Sequence, residues 1–161
     1  MTPTFELHDS QIMLGSLAET FPAWFERQNY SQVFVIADEN TQHHCLPVFM
    51  AKTGLNPLPY LAIIAAGEDQ KNLASCEKIW LSMLQSQLDR KALVINLGGG
   101  VIGDMGGFCA ATWKRGVDFV HVPTTLLAMT DAAIGGKLGV DFQGLKNIIG
   151  VFRQPAAVFV D

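Results

Sequence analysis

The sequence predicts an α/β fold, a doubly wound and mostly parallel sheet, on three observations. Apolar runs of strand length recur near residues 33, 60, 93, 118 and 157, and helical patterns separate most of them. The strongest run, 92–97, ends in three consecutive glycines, Gly98, Gly99 and Gly100, after which residues 101–112 can open a helix. Hydrophobic residues make up 49% of the chain and charged residues only 16%, as a sheet with strands buried on both faces requires.

The 161 residues suit one domain, spanning 1–161, that can bury a core without covalent staples. A net charge of −4 supplies no broad basic field, so nucleic acid is not the expected partner. Cys45, Cys76 and Cys109 are odd in number and lack C-x-x-C spacing, which supports neither a disulfide framework nor a thiolate zinc site. Residues 1–14 lack the basic start of a signal peptide, and no apolar run approaches membrane-spanning length, so a cytoplasmic location without membrane contact is expected.

Along the chain, mild alternation over 1–14 predicts one or two edge strands. Residues 15–30 read as a helix with Leu17, Phe21, Trp24 and Phe25 inward, and Pro22 predicts a late start or a break in it. The run 33–37 is a buried strand that ends at Asp38, Glu39 and Asn40. A carboxylate there can hold both hydroxyls of a ribose, or only cap the following helix; both readings stand. His43, His44 and Cys45 are consecutive, so on a helix they do not converge on an ion. A strand over 58–65 leads to Glu68 and Lys71. A helix over about 71–88 follows, with Leu73, Cys76, Ile79, Trp80, Met83, Leu84 and Leu88 at helical spacing.

The strand, glycine turn and helix start at 92–104 form a site suited to a phosphate-bearing ligand, because glycine permits close backbone approach and the first-turn N–H groups point at an anion. Gly98, Gly100 and Gly103 match the G-x-G-x-x-G spacing of Rossmann-like dinucleotide folds, although a plain tight turn would also use two of them. From Thr124 to Gly150, Asp131, Lys137, Lys146 and Asn147 stand among small and apolar residues. That is the composition of a pocket lining, or of a glycine-rich hairpin with surface lysines.

Taken jointly, GGGVIGDMGGF, the following Lys-Arg-Gly, VPTTLLAMTDAAIGGKLGVD and LKNIIGVF resemble the N-terminal half of the 3-dehydroquinate synthase family, closely from about Gly67 to Asp161 and more loosely back to Asp38. The resemblance implies the NAD-binding, Rossmann-like half of a two-domain, NAD- and divalent-metal-dependent lyase of aromatic amino-acid biosynthesis, which converts the sugar-acid phosphate DAHP to 3-dehydroquinate. It implies cofactor contacts at Asp38, Asn40, Glu68, Lys71, Gly99, Gly100, Val101, Asp104, Thr124, Thr125, Leu127 and Lys146. Substrate contacts fall at Arg115, Asp131, Lys137 and Asn147, with Asp131 and Lys137 in catalytic roles.

The family's metal, zinc or cobalt, is held by a glutamate and two histidines of a helical C-terminal domain. The chain ends at Asp161 before any of them, and His8, His43, His44 and His121 do not match those positions. A half without catalysis of its own, able to form a homodimer, is therefore expected. Ala132, Ala133, Leu138, Asp141 and Ala66 depart from the family's usual residues. Two alternatives remain: a sister sugar phosphate cyclase, and a nucleotide-binding module without catalysis. The iron-dependent alcohol dehydrogenases share the glycine turn, but the residues after Thr125 do not match their glycine- and serine-rich stretch.

Overall fold

The structure, a computed structural model, describes residues 3–7 and 9–161. His8 lies outside the described residues. A seven-stranded sheet forms from β1 (Thr4–Leu7), β2 (Ser10–Leu14), β3 (Val33–Asp38), β4 (Tyr60–Ile64), β5 (Leu93–Gly98), β6 (Asp118–Pro123) and, last in the chain, Ala157–Val160. Between β6 and that last strand, β7 (Lys137–Phe142) and β8 (Leu145–Phe152) form a separate antiparallel hairpin, so Ala157–Val160 is β9. The sheet order is β1-β2-β9-β6-β5-β3-β4, and only the β1–β2 pair is antiparallel.

The winding starts at β3, which pairs with β4 on one side and β5 on the other. The chain therefore reverses direction between β3 and β5. In open α/β sheets the crevice beyond the carboxyl ends of such a strand pair is where ligands bind. Asp38 ends β3 and Gly98 ends β5, so the acidic residue and the glycine turn flank this crevice.

Helices cover both faces. Helices α1 (Leu17–Phe25) and α3 (Leu46–Thr53) pack on one face, where Phe21, Trp24, Phe49 and Phe159 meet with ring centroids 5.1–6.4 Å apart. Between β3 and α3 lies the short α2 (Glu39–His44). On the other face, α4 (Leu73–Gln85) and α5 (Gly100–Thr112) enclose Phe34, Ile36, Ile79, Met83 and Met105. The β7–β8 hairpin takes the place a third helix would have on this face, and its Leu138 and Val140 complete the same core.

Three expectations need correction. Helix α1 runs through Pro22 without a break. Proline there removes one N–H from the helix ladder, and the helix start is fixed from elsewhere: Leu17 N–H donates to Asp161 Oδ2 at 2.8 Å. Leu84 points outward from α4 and is 63% exposed. The strand expected from residue 58 begins at Tyr60, after Pro57 and Pro59, and leaves Leu58 in solvent.

The small residues of α5 set how closely its neighbours approach. Gly106 faces the sheet, where a Cβ would collide with the buried Asn96 Oδ1. Gly107 faces the hairpin, where a Cβ would stand 2.5 Å from Leu138 Cδ2. Asn96 and His121 are register partners on β5 and β6, and Asn96 Nδ2 lies 3.4 Å from His121 Nδ1. His121 is thus a core histidine, 3% exposed.

Candidate functional site

The glycine turn is shaped for close approach. None of Gly98, Gly99 and Gly100 has a positive φ, so side-chain absence, not an unusual backbone, is what the site uses. Gly99 caps α5 without a side chain, and the first N–H bonded back along the helix is that of Gly103, to Gly99 O at 3.0 Å. The N–H groups of the turn before it are the orphans found at every helix start. Thr124 N–H donates to Gly98 O at 3.0 Å, tying the end of β6 to the turn. Thr125 accepts from Ala128 N–H at 3.2 Å and opens a π-helical turn, Ala128–Ala132. That turn leans on the glycines: a Cβ on Gly100 would meet Ala132 Cβ at 3.4 Å. Leu126 and Leu127, 76% and 71% exposed, are apolar groups standing free beside the turn.

Across the crevice, Asp38 does cap α2. Its Oδ1 accepts from Thr41 N–H at 2.7 Å and from Thr41 Oγ1 at 3.1 Å, while Thr41 Oγ1 accepts the Asp38 N–H. Capping engages Oδ1 and leaves Oδ2 for a ligand, so the two readings of Asp38 are compatible. Asn40 is exposed on α2. Glu68 and Lys146 form an exposed pair at 3.3 Å, of the kind that contributes at most about 1 kcal/mol.

A cavity of about 480 Å³ opens between α5, the π-helical turn and the hairpin. Asp104, Asp131, Lys137 and Asn147 supply its polar lining, and Ile134, Leu138, Ile148 and Phe152 are among its apolar walls. Pocket lining and glycine-rich hairpin, the two readings of residues 124–150, are therefore both right: the hairpin is a wall of the pocket. Beneath it, Lys71 is 5% exposed and donates to Asp104 Oδ2 at 2.5 Å and to Asn147 Oδ1 at 2.6 Å. Burial pushes the Asp104 carboxyl above its ordinary range, and the Lys71 ammonium opposes that shift. Leu138 and Asp141 serve the hairpin itself. Asp141 accepts from Asn147 N–H at 2.8 Å, and its own N–H donates to Lys71 O at 2.9 Å.

Arg115 is the expected site residue that the chain does not bring to this cavity. It follows the carboxyl end of α5, about 20 Å along the helix from the glycine turn, and is exposed. Sequence reasoning in turn missed the Asn96–His121 pair and the apolar cavity wall. A lone asparagine within the otherwise apolar run LVINLG was the available signal for the pair.

The family described as 3-dehydroquinate synthase N-terminal matches residues 61–161. The chain belongs to this family. Curated 3-dehydroquinate synthases resemble it closely: that of Parabacteroides distasonis is 42% identical over 132 residues, 82% of this chain and 37% of the relative. That of Campylobacter jejuni is 44% identical over 131 residues, 81% of this chain and 37% of the relative. The chain thus spans just over a third of the length of these relatives. Among solved structures, a 2-deoxy-scyllo-inosose synthase superposes over all of this chain and 47% of its own, with TM-score 0.90 and 24% identity. ValA, a 2-epi-5-epi-valiolone synthase from Streptomyces hygroscopicus subsp. jinggangensis with NAD+ and Zn2+ bound, superposes over all of this chain and 45% of its own at TM-score 0.83 and 26% identity.

Of the solved structures named above, ValA holds NAD+ and Zn2+. The open glycines and the orphan N–H groups suit an anion, and the second Asp38 oxygen across the crevice can accept a hydroxyl. A divalent ion has no such match: among the described residues, no three His, Cys, Asp or Glu side chains converge on one point. His43 and His44 are exposed neighbours on α2, edge to face with ring centroids 4.6 Å apart. No helix of the described residues is long and apolar enough to cross a membrane.

Proposed function

We propose that this chain is the cofactor-binding half of a 3-dehydroquinate synthase, and that it holds NAD in the crevice between β3 and β5 and the substrate DAHP in the adjoining cavity. The observation that carries this reading is the junction of the two sites: Asp104 stands on α5 immediately after its first turn and also lines the cavity. A ligand in the cavity therefore lies next to whatever the glycine turn holds. Held there, NAD would supply reversible hydride transfer with the carbon that bears a substrate hydroxyl.

The chain's own groups do the rest of what it contributes. Gly99 and Gly100 admit the pyrophosphate to the N–H groups of Val101 and its neighbours, while Thr124 and Thr125 fix the facing wall. Asp38 and Asn40 hold the ribose, Leu127 offers an apolar surface, and Glu68, Lys71 and Lys146 border the cofactor. In the cavity Lys137 and Asn147 address the phosphate or carboxylate of the substrate, because both present N–H donors. Asp131 accepts a substrate hydroxyl and is placed to take up or return its proton. Arg115 contributes nothing to this cavity from within one copy of the chain. The relatives continue well beyond the matched length, and the family's metal chemistry is assigned to that further part.

The reading is tested by phosphate release from DAHP in a polypeptide of the relatives' length that carries this chain. Lys137→Ala is expected to lower kcat/KM about ten- to a hundred-fold, the cost of one charge-assisted hydrogen bond at roughly 1.5–3 kcal/mol, with NAD affinity little changed. Wild-type kinetics in that variant would place Lys137 outside the substrate site. Residues 1–161 alone, supplied with NAD+ and Zn2+ or Co2+, are expected to release no phosphate.

A further inference from the structure

Lys71 is nearly fully buried, yet its ammonium group reaches two side chains on different elements: Asp104 on α5 and Asn147 on β8. An ammonium group has only donors, so the atom of Asn147 that faces it at 2.6 Å is the carbonyl Oδ1. The backbone holds the same arrangement. Asn147 has φ +53, a left-handed conformation that asparagine tolerates better than most residues, and its N–H is tied to Asp141. Asp141 is tied to the Lys71 carbonyl, and Asn72 bridges the same residue, so Lys71 and the Asn147 turn are locked together through both main chain and side chains.

We infer that Lys71 is a positioning residue that sets the polarity of the substrate cavity. With Oδ1 engaged by Lys71, the Nδ2 amide group is the half of Asn147 left for the cavity it lines, and no other side chain or carbonyl of the described residues accepts from it. Asn147 therefore acts as a fixed donor in the cavity that Lys137 also lines, and the cavity selects an acceptor oxygen, such as that of a phosphate or carboxylate, over a donor group at that position. Without Lys71 the carboxamide could turn and present its carbonyl, which repels an oxyanion. Lys71 also clamps Asp104, so the group bordering the cofactor and the group reading the substrate share one cation. This inference rests on the proposed reading of the cavity as the substrate site.

Titration of the isotope-labelled chain with inorganic phosphate, followed by NMR of side-chain amide and lysine signals, tests it. In the wild type, phosphate is expected to shift both the Asn147 NH2 signal and the Lys137 ammonium signal. Lys71→Met should weaken phosphate binding about tenfold, but no more than about threefold in an Asn147→Ala background, because Lys71 acts through that amide. Equal losses in the two backgrounds would reduce Lys71 to a general positive charge and overturn the inference. So would a wild-type response at Lys137 with the Asn147 amide unmoved, a result that needs no variant to fold. No response at either residue would overturn the reading of the cavity, and this inference with it.

Discussion

Between pH 6.5 and pH 4 the domain is expected to lose about 3 kcal/mol of stability through one side chain, His121. Burial pushes its imidazole down from 6.5 to about 4. The neighbouring Asn96 amide suits a neutral ring whose Nδ1 accepts. The unfolded chain takes up the proton first as pH falls. Stability is therefore intact above pH 6.5, declines through the window and has lost its full increment below about pH 4. Each pH unit of separation corresponds to about 1.4 kcal/mol. The lowered carboxyls of Asp89 and Asp161 act only below the ordinary carboxylate range, whereas the raised Asp104 opposes part of the loss. Denaturant unfolding at successive pH values should show the decline in the wild type and a flatter profile in His121→Gln. Matching profiles in the two proteins would remove His121 as the cause.

A second large effect is expected at α5. Gly106→Val should destabilise the domain by about 3 kcal/mol, near the upper range for overpacking, because its Cβ collides with Asn96 and lies 3.4 Å from Ile36 Cδ1. The gain in helix propensity, under about 1 kcal/mol, is too small to offset this. Gly103→Ala one turn earlier supplies the contrast. Its Cβ would meet the His121 ring at 3.7 Å, an ordinary contact, so propensity wins and stability should rise by roughly 0.5–1 kcal/mol. For a chain of this size the two changes correspond to a fall in Tm of roughly 6–12 °C and a rise of about 1–4 °C. Thermal unfolding in which Gly106→Val behaves like Gly103→Ala would contradict the packing described for Asn96.

The winding of the sheet was legible in the sequence because β3, β5 and β6 are buried on both faces and read as largely apolar runs, interrupted inside only by Asn96 and His121. Asp38 and the glycine turn were legible for a related reason: both interrupt such runs at a carboxyl end, where this architecture places ligands. The hairpin was harder to read, since β8 is largely exposed and its Leu145, Ile148 and Phe152 alternate against open space and cavity, not core. The Lys71–Asp104–Asn147 cluster joins residues up to 76 positions apart, and no local pattern encodes that meeting. Arg115 illustrates the converse. Its motif was recognisable, but the length of α5 carries it to the far end of the domain.

The central claim is that the crevice between β3 and β5 holds the dinucleotide. Titrating the labelled chain with NAD+ tests it most directly. Backbone amide signals of Gly100, Val101 and Ile102, and of Asp38 to Asn40, are expected to shift together and saturate. Gly100→Val should weaken that binding tenfold or more, because its branched side chain would stand against Ala132 in the path of the pyrophosphate. Unchanged affinity in Gly100→Val, or shifts gathered around Arg115 with the glycine turn silent, would contradict the account.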